Sequence, residues 1–220
     1  MSRGISLAGS RKGTRGAATK ARIVEAATRL FIEHGYLDTT VAAIANEAGV
    51  ALQTLYLSFG SKVAILRATH DVAVVGDDAP IPVLDRPWVA EMRAEPDGRR
   101  ALRFVIDNGM QIIERVMPII GVIQAAAADA DVGQLLRDIK AMQLETQQAF
   151  ARELATKKGF SRSLTPETAG DVIYAIASHD MYRTLVIERR WTTAQATVFV
   201  EKTIAATLFP KPTTTRPGRA

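Results

Sequence analysis

Eight residues near the start of the chain carry side chains suited to reading a nucleic acid: Thr40, Ala51, Leu52, Gln53, Thr54, Tyr56, Ser58 and Lys62. The chemistry they offer is noncovalent. A glutamine amide pairs with adenine, a serine hydroxyl with any base, and small apolar groups meet the thymine methyl. Ala51, Leu52, Gln53 and Ser58 therefore suit base edges. Thr40, Thr54, Tyr56 and Lys62 are donors suited to phosphate oxygens. Thr40 also stands where it would cap a helix start, whose partial positive charge favours a phosphate.

Such residues need a scaffold that aims them. In TTVAAIANEAGVALQTLYLSFGSK, residues 39–62, one helical stripe is Val41, Ile44, Ala45 and Ala48, and a second is Val50, Leu55 and Phe59. Gly49 lies between them and supplies the left-handed backbone that a tight turn requires. Ala45 is small enough to let the second helix approach, and Val50 and Leu55 lock it in place. The pattern predicts a helix-turn-helix whose second helix has an outer face free for the major groove. Upstream, Thr19 is placed to cap a helix carrying Ile23, Ala26, Ala27, Leu30 and Phe31, which Gly35 ends. Downstream, Ser61 is placed to cap a helix with Val63, Ile65 and Leu66.

The segment from Thr19 to Leu66 resembles the DNA-binding domain of the TetR family of transcriptional repressors. The pieces that carry the resemblance are ARIVEAATRLFIEHGY, TTVAAIANEAGV and TLYLSFGSKVAIL, about a fifth of the chain. It implies an all-helical homodimer that binds a palindromic operator, with a ligand pocket and the dimer interface in a larger second domain. TPETAGDVIYAIASHDMYRTLVIERRW is similar to one subset of the family. One departure affects the contacts. Family members often carry an aromatic residue and then histidine after the recognition-helix tyrosine, where this chain has Leu57 and Ser58.

The rest of the chain reads as helices. Gly76 to Gly98 holds four prolines and predicts a loop with one short helix near Trp88 to Met92. Leu102, Val105, Ile106, Gly109, Ile112, Ile113 and Val116 form a stripe that Pro118 should break or kink. Val132, Leu135, Leu136, Ile139, Met142 and Phe150 form another. Thr165-Pro166 reads as a cap followed by proline at the first helical position. Thr192 with Gln195 fits a capping box. The last two helices are expected at about 166–189 and 192–209. Each carries apolar residues on more than one side, which suits a four-helix dimer interface with a second copy. No alternation is long enough for a sheet, and no repeat is present. The fold class expected is all-α: an N-terminal three-helix helix-turn-helix domain followed by a larger helical ligand-binding and dimerisation domain. The boundaries are a disordered basic arm at 1–18, the DNA-binding domain at 19–68, the larger domain at 69–209 and a basic disordered tail at 210–220.

Charge is uneven. The chain has a net charge of +5, yet residues 1–22 contain Arg3, Arg11, Lys12, Arg15, Lys20 and Arg22 and no acid. A basic arm on a neutral-to-acidic body points to a polyanion nearby. A solubilising tail is the plain alternative. With Cys 0, disulfide frameworks, zinc fingers and thiol nucleophiles are excluded. The chain contains no G-x-S-x-G, P-loop, H-E-x-x-H or G-x-G-x-x-G signature. Asp129-x-Asp131 lacks the glycine and terminal glutamate of a calcium loop. No catalytic residue, cofactor or metal site is expected. The polar, basic N-terminus and the absence of a run of ~20 apolar residues predict a cytoplasmic protein without a membrane span.

Polar and aromatic residues set within or beside the apolar stripes are candidates for an effector pocket: Trp88, Asn108, Gln111, Gln124, Gln143, Gln147, Tyr174, His179 and Tyr182. Each has a plainer reading as a packing or surface residue. The functional expectation is a repressor released from a palindromic operator when a small molecule binds the C-terminal domain. The alternatives are a ligand-independent DNA-binding adaptor or nucleoid-type protein, and a helical enzyme that keeps the DNA-binding segment as scaffold.

Overall fold

The computed structural model describes residues 8–76 and 81–211. It is all-α: among the described residues the only strand-type pairing is an isolated bridge between Asp97 and Lys158. The chain forms two compact units, one of residues 1–74 with 118–138 and one of 75–117 with 139–220.

In the first unit, α1 (Ala8–Asp38) is kinked at Gly35, whose φ of 77° is left-handed. Thr39 is buried there, and its hydroxyl donates to the Gly35 carbonyl. α1 begins earlier than Thr19, so residues 8–18 are helical where a disordered arm is expected. Gly9, Gly13 and Gly16 disfavour a helix here, so its extension rests on the folded helix behind it, which removes the cost of nucleation. The expectation for 1–7, and for the tail beyond Lys211, falls outside the described residues.

α2 (Val41–Glu47) packs on α1 and on α3 (Leu52–Phe59). Ile44 and Leu55 are fully buried. Gly49 turns the chain with φ of 63°, and the Val50 N–H donates to the Ala45 carbonyl at 2.9 Å. Ser61 caps α4 (Lys62–Val75) by accepting from the Ala64 N–H. The end of α6 (Gly98–Ala125) and the start of α7 (Ala130–Ala155) complete this unit. Asp129 caps α7, its Oδ1 accepting from the N–H groups of Asp131 and Val132. α6 continues through Pro118 instead of ending there. Proline in a helix costs about 3 kcal/mol. Its neighbours Met117, Ile119, Ile120 and Ile123 are all buried, at about 1.5–3 kcal/mol each, so burial wins.

The second unit has its own apolar core, built from α5 (Pro87–Ala94), the body of α6, the end of α7, α8 (Pro166–Ile176) and α10 (Thr193–Leu208). Thr165 caps α8, with Pro166 in the first turn. Thr192 and Gln195 form a reciprocal capping box at α10. The helix expected over 166–189 is interrupted. Ala177 leaves helical geometry, Ser178 caps the short α9 (His179–Tyr182), and the chain then winds as a π-helix over Arg183–Glu188. The cause is local: the Ser178 hydroxyl takes the Met181 N–H and offers the backbone a new start. Among the described residues, no helix is long and apolar enough to cross a membrane.

Candidate nucleic-acid interface

The buried side of α3 fixes what its other side presents. Leu55 has no exposed surface, whereas Leu52 is 44% and Tyr56 48% exposed. Ala51, as N-cap of α3, and Gln53 are also exposed. The expected base-reading residues Ala51, Leu52 and Gln53 therefore lie together with Tyr56 at the outer face and start of one short helix. Thr54 and Ser58 are half-buried. The Ser58 hydroxyl donates to the Thr54 carbonyl at 2.8 Å, which leaves it an acceptor for further contacts. Thr40 is exposed and caps α2, accepting from the Ala43 N–H at 3.0 Å. Arg29 of α1 pairs with Glu47 of α2 at 2.8 Å and ties the supporting helices together.

Lys62 takes a position that helical spacing does not reveal. Its Nζ sits 4.2 Å from the centre of the Tyr36 ring and donates to the Leu37 carbonyl at 3.4 Å. Burial pushes its pKa below the ordinary lysine value, against the pull of Asp129 and Asp38. The cation is thus held at the joint between the end of α1 and the start of α4. Leu57 is absent from the expected contact residues, yet at 82% it is more exposed than any other large apolar side chain described. It follows Gln53 by one helical turn, which is the signal that would have found it.

The nine candidate effector residues are distributed over both units. Gln124 belongs to the first unit and the other eight to the second. Gln111 is exposed. The Asn108 amide donates to the Phe104 carbonyl one turn back. Tyr182 is buried and its hydroxyl meets that of Thr193 at 3.0 Å. Thr193 in turn donates to Glu114 at 2.6 Å, so Tyr182 belongs to a network joining α9, α10 and α6. Burial raises its pKa. Trp88 lies against Phe150, ring centres 5.5 Å apart. Gln143, Tyr174 and His179 are half-buried. Gln147 differs: its Oε1 is buried without a hydrogen-bond partner. Among the described residues, no group of three His, Asp or Glu side chains could hold a metal ion.

The outer face of α10 carries an open apolar groove of about 550 Å³, lined by Trp191, Ala194, Gln195, Val198, Phe199 and Lys202. Val198 and Phe199 are 47% and 39% exposed, while Ala196, Val200 and Ile204 of the same helix are buried in the core.

Residues 23–69 match the family model of bacterial regulatory proteins of the tetR family. Over 56 residues the chain is 43% identical to a Mycobacterium tuberculosis protein described as the mycofactocin biosynthesis transcriptional regulator MftR. That match covers 26% of this chain and 28% of the relative's length. Among solved structures, a TetR-family transcriptional regulator from Rhodococcus sp. matches with a TM-score of 0.67 at 16% identity, over 87% of this chain and 99% of that one. The regulator FadR of Bacillus subtilis, in complex with stearoyl-CoA, matches at 0.66 and 18% identity, over 84% and 96%. A regulator from Saccharomonospora viridis in complex with choline matches at 0.62 and 17%, over 86% and 96%. At these identities the structures establish the fold.

Proposed function

We propose that the chain, whose residues 23–69 match the tetR family of bacterial regulatory proteins, is a ligand-responsive, DNA-binding transcriptional repressor of the cytoplasm. The observation that carries this is α3, a two-turn helix held by buried Leu55 with Leu52, Gln53, Tyr56 and Leu57 all turned to solvent. That face has the length and chemistry to enter a major groove. Two copies joined through the outer face of α10 and the segment before it would present two such helices to a palindromic operator. The exposed groove beside Trp191 and Phe199 supports this, since patches of that kind mark interaction sites. The larger C-terminal domain, about residues 69–209, would take the effector. Ligand then favours a dimer whose recognition helices are wrongly spaced for successive grooves, and operator affinity falls.

The test is fluorescence anisotropy on a labelled operator duplex, with compounds first selected by thermal shift. Compounds that raise the melting temperature should weaken operator binding, and operator should weaken compound binding by the same factor. Stabilising compounds that leave DNA affinity unchanged would favour the ligand-independent adaptor.

A further inference from the structure

We infer that Leu57 is a specificity-determining residue of the DNA interface, and that the feature it recognises is the 5-methyl group of a thymine in the major groove. This rests on the DNA-binding reading above and adds what α3 reads in the operator. Leu55, with no exposed surface, anchors α3 to its domain. An α-helix turns about 100° per residue, so Gln53 and Leu57 each stand about 160° around α3 from that anchor. They lie one turn apart and form a ridge on the side furthest from the core. Gln53 is exposed, and Leu57 is 82% exposed. A lone exposed leucine is ordinary on a protein surface. This one shares its outward face with Leu52 and Tyr56, which are exposed too. Leu52 stands only about 60° from Leu55 and so lies at the flank of the helix, not on the ridge.

The code of the groove decides what such a ridge can read. α3 has the sequence LQTLYLSF, without lysine, arginine, aspartate or glutamate. It therefore has no cation to pair with O6 and N7 of guanine, and no carboxylate to accept from the amino group of cytosine. The Ser58 hydroxyl gives its proton to the Thr54 carbonyl at 2.8 Å. Gln53 is left as the one amide of the helix, suited to adenine. Its ridge partner Leu57 has no polar group to offer, and the apolar group that base edges present in the major groove is the thymine methyl. Leucine against that methyl removes apolar surface of both from water. Against a phosphate oxygen it has no hydrogen bond to give, so a backbone contact does not account for its place on the ridge.

The experiment uses the full chain and a duplex that it enriches from a random-sequence pool. Each thymine of the enriched half-site is replaced in turn by deoxyuridine, which deletes the methyl group and keeps the base pair. By anisotropy, one such replacement per half-site should weaken the wild type about fourfold, the effect of returning one apolar carbon to water. Leu57→Ala should bind the thymine duplex more weakly and lose the preference for thymine over uracil at that position. Leu57→Met, an apolar side chain of similar length, should keep it. Melting temperatures of the three proteins should agree within about 2 °C, because the side chain is exposed. A larger fall in Leu57→Ala would overturn the assignment, since Leu57 would then be a packing residue. So would a wild type indifferent to every deoxyuridine, or a methyl preference that Leu57→Ala retains in full. A wild type that enriches no sequence at all would sink the regulator reading itself, a result distinct from an enriched site whose deoxyuridine scan is flat.

Discussion

Lys62 and Tyr36 form a cation–ring pair with 4.2 Å between the ammonium and the ring centre. The pair is 26 residues apart in sequence and closes the joint between α1 and α4. With the Leu37 carbonyl as second partner, the ammonium is held at that joint, and its proposed role is contact with a phosphate. Lys62→Ala should weaken specific and random duplexes alike and lower the salt slope by about one unit. Lys62→Arg should keep the slope. Binding titrations between 50 and 300 mM salt, about the range where screening acts on such contacts, would show it. An unchanged slope in the alanine variant removes Lys62 from the interface.

Gly49 sets the geometry of the turn. A Cβ there would touch nothing within 4 Å, so its φ of 63° is the whole constraint. Gly49→Ala should cost about 1–2 kcal/mol, the price of left-handed backbone for an ordinary residue. Gly49→Asn should cost less, because asparagine tolerates that region. Urea unfolding of the pair measures the difference, and equal losses would contradict the conformational account.

Arg67 of α4 meets Asp138 of α7 at 2.5 Å, and the Gln134 amide donates to the other carboxylate oxygen at 2.7 Å. The bonds from Gln134 and Arg67 hold the Asp138 carboxyl below its usual pKa. A depressed pKa contributes stability that is present above the unfolded value, about 3.9, and is lost as pH falls through the folded value. Asp138→Asn should therefore melt lower than the wild type at pH 7, with the gap narrowing as pH falls below the unfolded value of about 3.9. A gap that is constant with pH would mean the ion pair contributes nothing.

Phe199 stands edge-on to Trp191, ring centres 5.8 Å apart and planes at 88°, and both line the groove on α10. Phe199→Glu should give a folded monomer that has lost most of its operator affinity, seen by sedimentation and by anisotropy. A wild type that is monomeric at micromolar concentration would contradict the interface.

Local chemistry made much of this legible from sequence. Gly49, the Thr165-Pro166 start and the Thr192–Gln195 box depend on neighbours within four residues, and each stands as the spacing predicts. What sequence hid depends on tertiary placement. Nothing in the spacing says that Lys62 rests on Tyr36 or that Tyr182 is engaged by Thr193. Pro118 shows the same limit, because its neighbourhood in sequence leaves a break and a kink both open and the helix runs on through it. Its helix-breaking tendency is local, while the burial that overrides it comes from the rest of the fold.

The central claim is that paired α3 helices read one symmetric site. Genomic footprinting of the tagged protein tests it most directly. The account predicts a few protected sites, each an inverted repeat whose half-sites are centred about 34–36 Å apart or at a related spacing. Many weakly protected sites without symmetry, tracking base composition alone, would contradict it.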